Sequence, residues 1–469
     1  MPVSLSWRGA LAVVVVLAAG LGGVMAATAS AFPGPPSATL FVNNGPTVPG
    51  RGDYWRDGEW YRHADSSCAT AAFTTIGAAV SAATIPGSTI IVCPGTYNEG
   101  VLINKRLVLS GWGAVINASS SPFGNGVQIV GPGGSGSTVA GFKIENAEFE
   151  GILVGTAPVA PTNTTGTQQA SGTPVSDVTI ADNTLVNNDT GSTSGSFGQC
   201  VTPPGVPPAD CGQSLHLVSV TDSIVEGNYA AYNDGGILLT DEFGPTANNI
   251  VRDNTTVNNT DDCGITLASH ATGALPVSLA VNSAGLSAGL PDPAAAGVYD
   301  NLIENNISNN NGLLGQGAGI LLGGGAPFSG VYSNVIRGNF ASGNGLAGVT
   351  IHQHFVGDLN NNVVEDNILS NDNIDGDSDF ATADTETTGV LVASGTPPGV
   401  PEFLWPGAPP TTTGEITGTI IRDNLIYGVK VGIWTLNVDP TSTTTTPNLY
   451  GPGVVTQVST NTNPSIIYP

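Results

Sequence analysis

The sequence predicts an all-β fold in which short strands stack as the coils of a parallel β-helix. Three observations predict it: an asparagine recurs along the chain, an apolar residue stands three positions before each one, and a glycine-apolar pair opens a strand downstream. The separation is 26 residues from Asn228 to Asn254 and 28 from Asn339 to Asn367. Such periods are typical of solenoids, in which each coil covers the strand edge that its neighbour leaves open. The recurring asparagines are Asn183, Asn228, Asn254, Asn306, Asn339, Asn367 and Asn424.

Composition narrows the class of protein and of partner. The chain has 469 residues, of which 40% are hydrophobic and 10% charged, with a net charge of −25. Apolar residues that recur on a fixed schedule argue against a glycine-rich disordered chain. An acidic surface repels nucleic acid and anionic membranes, so neither is expected as a partner.

Residues 1–31 resemble a secretory signal peptide. Arg8 is its lone charge, an apolar stretch runs from Leu11 to Leu21, and Ala29-Ser30-Ala31 fits cleavage after Ala31. The alternative, a membrane anchor, is disfavoured because the run is short and broken by glycine. We therefore expect a secreted, extracellular protein with no membrane span after cleavage.

The remaining chain divides into three parts. Residues 32–87 form an N-terminal cap region, in which residues 73–83 show helical spacing of apolar residues. Residues 88–437 form the solenoid, interrupted at about 156–175, 190–214, 271–297 and 393–415 by stretches whose Pro, Gly and Thr content predicts loops. Residues 438–469 form a Thr- and Pro-rich tail that either covers the last coil or is disordered.

Five cysteines suit an oxidising compartment. Cys68 and Cys93 flank the helical stretch and are expected to pair. Cys200 and Cys211 would close the Pro-rich loop between them. Cys263 is left over and is expected to be a small buried hydrophobic residue.

The stretch FTTIGAAVSAA followed by GSTIIVCPGTYNEGVLINKRLVLSG (residues 73–83 and 87–111) resembles the N-terminal cap and first coil of a known family. The family comprises the right-handed parallel β-helix repeat proteins of the pectate-lyase-like superfamily. This superfamily contains carbohydrate-binding proteins and sugar hydrolases. The resemblance implies a right-handed solenoid with a capping helix and a polysaccharide or other extracellular glycan as partner. It leaves the activity open, because the superfamily includes lyases, hydrolases, epimerases and members without known chemistry.

A ladder of alternating charges is predicted along the stack. Equivalent residues of stacked coils lie about 4.8 Å apart, so each charge would lie between opposite charges and a slipped coil would bring like charges together. The alternation continues across the long gap before Asn306, which indicates that 271–297 is a loop. The arginines of the ladder would be committed to this structural role and unavailable to the carboxylate of a uronate substrate. This disfavours a polysaccharide lyase. The ladder residues are Glu226, Arg252, Glu304, Arg337, Glu365 and Arg422.

Three carboxylates are the first candidates for catalysis. Asp234 and Asp262 lie two residues before the strand-opening glycines of neighbouring coils, and Asp261 stands beside them. A close carboxylate pair can divide acid and base roles, as in glycosidases. The segments Asn233-Asp234-Gly235 and Asp261-Asp262-Cys263 resemble the Asn-Thr-Asp and Asp-Asp motifs of polygalacturonase-type hydrolases. Gly317-Ala318-Gly319 stands where that family has Gly-His-Gly, so a polar turn without chemistry is the alternative.

A second candidate group follows the same strands. Glu242 and His270 both lie six residues beyond their strand-opening glycine, as does His354. A histidine with a glutamate can serve acid–base chemistry or bind a metal. The alternative is a set of scattered polar surface residues.

A third group of residues predicts a Ca²⁺ site. Oxygen-bearing residues alternate from residue 371 to 379 with Gly376 at the sixth position, as in an oxygen-rich calcium loop. A solvated acidic loop is the alternative. The proposed ligands are Asn371, Asn373, Asp375, Asp377 and Asp379.

Two functions remain open at this point. One is a secreted carbohydrate-active enzyme, with a glycoside hydrolase favoured over a lyase. Its catalytic residues would be Asp234, Asp261 and Asp262, with Glu242 and His270 as a second set. The other is a non-catalytic extracellular or cell-surface β-helix that binds glycan or has a structural role.

Overall fold

A computed structural model describes residues 38–45, 54–56, 59–61, 67–155, 175–190, 213–241, 244–269, 297–313, 317–324, 330–353, 357–372, 387–394, 416–436, 438 and 441–461. In these residues, strands of successive coils pair in parallel along three sheets. This confirms the predicted parallel β-helix. The proposed signal peptide and the Cys200–Cys211 pair lie outside the described residues.

The strands are grouped here as sheets A, B and C. Sheet A contains Thr39–Val42, Ser88–Val92, Gly95–Tyr97, Leu107–Asn117, Thr138–Glu145, Thr179–Ala181, Thr184–Val186, Ile224–Glu226, Tyr229–Ala231, Ile250–Arg252, Thr255–Val257, Leu302–Glu304, Ile307–Asn309, Val335–Arg337, Phe340–Ser342, Val363–Glu365, Ile368–Ser370, Thr419–Arg422, Leu425–Tyr427, Thr443–Thr444 and Leu449–Tyr450. Sheet B contains Val101–Ile103, Val127–Val130, Ile152–Gly155, Gln213–Val218, Gly235–Thr240, Ile265–Ser269, Ile320–Gly324, Val349–Gln353, Thr388–Ser394, Val431–Leu436 and Thr456–Asn461. Sheet C contains Val175–Ser176, Val220–Thr221, Thr246–Ala247, Val298–Tyr299 and Val331–Tyr332.

Five short elements, two strands and three 3₁₀ turns, lie outside the three sheets. Tyr54–Arg56 and Glu59–Tyr61 pair as an antiparallel hairpin. The others are the 3₁₀ turns Cys68–Thr70, Ala118–Ser120 and Pro132–Gly134.

Each coil turns at corners that are five residues apart. In one coil the corners carry Asn249, Asn254 and Asn259, which are separated by the sheet A strands Ile250–Arg252 and Thr255–Val257. The residue before each of these asparagines has a positive φ, as Asp253 does at 55°. Asn, Asp and Gly tolerate this left-handed backbone best, which explains why these residue types dominate the corners.

The corner asparagines form three buried columns along the stack. Asn228 Nδ2 donates to Asn254 Oδ1 at 3.0 Å, and the backbone N–H of Asn228 donates to the same oxygen at 3.0 Å. Asn228 Nδ2 also donates to the carbonyl of Ile180 in the preceding coil, at 2.9 Å. One side chain therefore joins three coils. The three columns are Asn249, Asn301, Asn334 and Asn362; Asn183, Asn228, Asn254, Asn306, Asn339, Asn367, Asn424 and Asn448; and Asn188, Asn233, Asn259, Asn311, Asn344 and Asp372.

Aliphatic side chains fill the interior between these columns. Val251, Ile303 and Ile336 are fully buried and lie directly above one another in the parallel register. Their burial supplies the hydrophobic stabilisation of each coil, about 1.5–3 kcal/mol for a fully buried side chain of this size. The apolar position three residues before each asparagine is thus the core position of the coil.

A helix, α1 (Ile76–Ala82), lies at the N-terminal end of the solenoid within the stretch where helical spacing predicts one. The Thr75 side chain caps it by accepting from the Ala78 N–H, and Ile76, Ala79 and Val80 join the main core. The predicted Cys68–Cys93 disulfide is present. That α1 serves as the cap of the open end is still a prediction. Within the described ranges, no helix is long and apolar enough to cross a membrane.

The solenoid extends beyond the boundaries that the sequence predicts. At its start, Thr39–Val42 pairs with Ser88–Val92, inside the expected cap region. At its end, three strands between residues 443 and 461 add another coil beyond residue 437. Threonine and valine dominate this last segment, and their β-branched side chains suit a strand on an open sheet edge.

The charge ladder is present in the predicted register. Glu226, Arg252 and Glu304 face one another on successive strands, so the residues between Arg252 and Glu304 add no rung to sheet A. Ion pairs form at every second step of the ladder. Their N–O distances are 2.6 Å for Glu226–Arg252, 2.6 Å for Glu304–Arg337 and 2.7 Å for Glu365–Arg422. The ladder is therefore three tight pairs stacked in alternation.

We expect Arg337→Glu to destabilise the protein, because it places a third carboxylate between Glu304 and Glu365. Adding Glu304→Arg should restore part of the loss, with a coupling free energy of about 0.5–1 kcal/mol for partly exposed pairs. Chemical denaturation of the two single variants and the double variant measures it. Glu226→Arg, three coils away, is the matched control and should add independently to Arg337→Glu. Additivity in both cycles would contradict the register.

Candidate active site

The site forms where two neighbouring coils enter sheet B. The backbone N–H groups of Asp261 and Asp262 donate to the carbonyl of Asp234, at 3.1 and 3.0 Å. The carboxyl groups of Asp234 and Asp261 are hydrogen-bonded to each other. The structure therefore brings the three sequence-predicted aspartates into one cluster.

The electrostatics of this cluster favour a proton on Asp234. Burial raises the pKa of Asp234 to about 9, and the hydrogen bond with Asp261 and the charges of Asp189 and Asp262 act in the same direction. At neutral pH the Asp234 carboxyl is therefore neutral and can donate its proton to Asp261. Carboxylates that share a proton in this way can divide acid and base roles.

Asp189 is a member of the cluster that sequence reasoning missed. It follows Asn188 as Asp234 follows Asn233, so it occupies the equivalent corner one coil earlier. Alignment on strand-opening glycines could not find it, because the stretch 190–214 intervenes before the next sheet B strand. Alignment on the third asparagine column would have found it.

Asp262 is held in one orientation by two donors. Its Oδ1 accepts from the backbone N–H of Cys263 at 2.6 Å, and its Oδ2 accepts from Gln213 Nε2 at 2.8 Å. Gln213 lies two coils before Asp262 and reaches it by crossing Gly235. A Cβ at Gly235 would overlap with Gln213 Oε1, so the glycine provides the room for this contact. Sequence patterns did not identify Gln213.

Cys263, the residue after Asp262, is a buried structural residue and not a reactive thiol. It is the free cysteine of the described residues and is 1% exposed. Burial raises its pKa well above the ordinary value, which keeps the thiol protonated. The Ala318 N–H donates to its sulfur at 3.1 Å. Ala318 is the residue that stands where polygalacturonase-type hydrolases have a histidine.

A second polar group lies on the outer side of sheet B. His216 Nδ1 is 3.4 Å from Glu150 Oε1, and His216 Nε2 is 2.8 Å from Thr240 Oγ1. All three side chains are buried, and they belong to three successive coils. Burying polar side chains costs desolvation energy, which their hydrogen bonds offset. It links the coils across the outer face, and the spacing patterns did not point to it.

The predicted Glu242 and His270 lie outside the described residues, as does His354. The neighbouring Asp241 is fully buried and accepts from Ser269 Oγ at 2.8 Å. Acid–base or metal chemistry at Glu242 and His270 therefore stays a prediction.

The predicted calcium loop is described only at its first residue. Asn371 has a φ of 53° and forms the corner before Asp372, the last rung of the third asparagine column. Burial raises the pKa of Asp372 to about 7. Asn373, Asp375, Asp377 and Asp379 lie outside the described residues. Within the part that the structure describes, no group of three or more His, Cys, Asp or Glu residues is arranged to hold a metal ion.

Comparisons with known proteins gave matches among solved structures alone. No protein-family model matches the chain, and no curated protein matches it in sequence. Among solved structures, it is similar to the A-module of the mannuronan C-5 epimerase AlgE4 of Azotobacter vinelandii, with 16% identity, coverage of 82% of this chain and 93% of the other, and a TM-score of 0.49. It is also similar to pectate lyase Pel9A, with 15% identity, coverage of 88% and 80%, and a TM-score of 0.42.

A third similar structure is PfbA, a surface adhesin of Streptococcus pneumoniae, with 11% identity, coverage of 81% and 87%, and a TM-score of 0.35. Likeness at these levels carries no argument about activity. The fold of this chain is established by its own strand pairing, which is that of a parallel β-helix.

We expect Gly235→Ala to destabilise the protein by about 1–3 kcal/mol, because the new methyl group displaces the Gln213 side chain from Asp262. Gly323→Ala in the same sheet is the matched control: its nearest neighbour would be His352 Nε2 at 3.4 Å, an ordinary contact. Denaturant unfolding measures both. In a Gln213→Ala background the cost of Gly235→Ala should largely disappear, and an unchanged cost would contradict the crossing geometry.

Proposed function

We propose that this protein is secreted and acts on an extracellular polysaccharide as a glycoside hydrolase. The observation that supports the proposal most is the neutral Asp234 carboxyl beside further carboxylates at one corner of the solenoid. A glycosidase needs one protonated acid for the leaving oxygen and one ionised carboxylate for water or the sugar. A single cluster here holds both kinds of group.

Roles follow from the surroundings of each carboxyl. Asp234, whose pKa is raised to about 9, is the general acid. Asp262 is the ionised carboxylate, since both its oxygens accept N–H groups and its orientation is set by Gln213 and the Cys263 backbone. Asp261 is the hydrogen-bond partner of Asp234 and accepts a hydrogen bond from its carboxyl when no substrate is bound.

The charge distribution supports a neutral or weakly charged glycan. Arg252, Arg337 and Arg422 are paired with glutamates of the ladder. The cluster itself is rich in carboxylates and the chain carries a net charge of −25. A uronate chain would be repelled, and proton abstraction beside a uronate carboxylate would lack a nearby cation.

Secretion is supported by two features of the chain. The Cys68–Cys93 disulfide is the kind of bond that persists in oxidising compartments. The leader-like residues 1–31 provide the export signal in this proposal.

Ala318 favours a second candidate function, a non-catalytic glycan-binding or structural β-helix. The residue is fully buried and serves as a backbone donor to Cys263, where the resembling hydrolases carry a histidine. In this alternative, the aspartate cluster is a polar corner that contacts glycan without cleaving it.

We expect a panel of neutral polysaccharides to reveal a substrate whose hydrolysis gives no unsaturated product and no new absorbance near 235 nm. Asp234→Asn should lower kcat/KM by about 10²–10⁴, the usual contribution of a general acid. Because the acid form of Asp234 is lost as pH rises, wild-type activity should fall through about pH 9. Asp222→Asn, at an exposed corner with φ 53°, is the matched control and should leave turnover unchanged.

Two outcomes would contradict the hydrolase proposal. An unsaturated product would identify a lyase. Measurable glycan binding that Asp234→Asn and Asp262→Asn leave intact, without cleavage of any panel member, would favour the non-catalytic alternative.

We also propose that Asn371, Asn373, Asp375, Asp377 and Asp379 bind Ca²⁺. A cation that binds only the folded protein raises its melting temperature, so a chelator should lower the Tm of wild type. The chelator should not change the Tm of Asp375→Asn/Asp377→Asn. Asp253→Asn/Asp366→Asn is the matched control and should respond as wild type does. Identical melting curves of wild type with and without chelator would reject the site.

A further inference from the structure

The C-terminal coil leaves an open sheet edge. Thr456–Asn461 pairs with Val431–Leu436 on one side, and no described strand pairs with its other side. Exposed apolar side chains concentrate in this coil: Leu449 is 68% exposed, Val455 82% and Val458 37%. An open strand of this length with apolar residues is a template for pairing with another chain.

The edge lacks the features by which proteins prevent such pairing. Residues 456–461 contain neither proline nor a charged residue, and residues 441–461 contain no charge at all. The whole chain, in contrast, has a net charge of −25. Two copies therefore repel each other over most of their surface and can approach at this neutral end.

The N-terminal end differs in this respect. Val42 forms a parallel bridge with Phe73, and the Asn43 N–H donates to the Phe73 carbonyl at 2.9 Å. In sheet B, which contains Thr456–Asn461, the N-terminal edge strand is Val101–Ile103, and helix α1 contacts it. A head-to-tail contact would have to displace α1 from this strand, so we pair the C-terminal edge with an identical one.

We propose that two copies of this chain associate through their C-terminal coils. A two-fold axis near Val458 and Ser459 sets Thr456–Asn461 of one copy antiparallel to the same strand of the other, which pairs the open backbone groups and covers Val455 and Val458. Leu449, Val455 and Val458 supply the exposed apolar side chains of this contact. The contact is isologous, so it closes at a dimer and does not propagate into a filament.

Sedimentation velocity of the full mature chain (residues 32–469) over a concentration series tests the proposal. We expect a dimer with a micromolar Kd, which added salt strengthens because it screens the repulsion between acidic surfaces. Val458→Lys should raise the Kd on the order of 100-fold, since two like charges meet at the axis. Ile307→Lys, at a position 41% exposed on sheet A, is the matched control and should dimerise as wild type does. If Val458→Lys fails to fold, Ser459→Lys tests the same edge.

Two results would overturn the proposal. One is a dimer that both edge lysines leave intact, which would place the interface elsewhere. The other is a monomer at every concentration. If removal of residues 462–469 then creates a dimer, the edge is covered by the chain's own C-terminal segment and not by a second copy.

Discussion

The buried asparagine amide is the constraint on which the rest of this fold depends. Each amide in a column has one acceptor and two donors to satisfy without water, and an unsatisfied buried group costs about 1–3 kcal/mol. Asn254 meets this requirement with Asn306 in the next coil and the Val225 carbonyl in the preceding one. The requirement is met when an asparagine, or an aspartate at the end of a column, stands at the same corner of the next coil. Coil register is therefore fixed at three corners at once.

Other features of the molecule follow from this register. It sets Glu226 opposite Arg252 and Arg252 opposite Glu304, so the charge ladder is a consequence of stacking. It also sets Asp234 beside Asp261, where burial and like charges hold a proton on Asp234. Asp372 shows how a column ends: Val429 stands at the corresponding corner of the next coil, so a further amide would find no side-chain acceptor there. The residue at this end is a carboxyl that accepts from the Asn344 amide and the Ser370 N–H.

The sequence is sufficient to predict the parallel solenoid, one asparagine column, the charge ladder and the Cys68–Cys93 bond, because each depends on spacing alone. The other two columns were not predicted, because the repeat was counted on one asparagine per coil and not at five-residue steps. The last coil was not predicted, because its Thr-rich sequence lacks the glycine that opens the sheet B strand in other coils. The Gln213–Asp262 contact could not be predicted, since it crosses two coils and depends on the missing side chain of Gly235. His216 and Glu150 meet for a similar reason, through the geometry of adjacent coils and not through a motif.

The most direct measurement of the central claim is the free energy of unfolding of Asn306→Ala compared with that of Asn448→Ala. Asn306 lies mid-column, where its loss leaves the Asn254 amide and backbone N–H without their acceptor and the Val251 carbonyl without its donor. Asn448 is the last described rung and is only partly buried. We predict a loss of several kcal/mol for Asn306→Ala, since each orphaned group costs about 1–3 kcal/mol, and a clearly smaller loss for Asn448→Ala. Equal and small losses would contradict the claim that the amide columns fix the register of the coils.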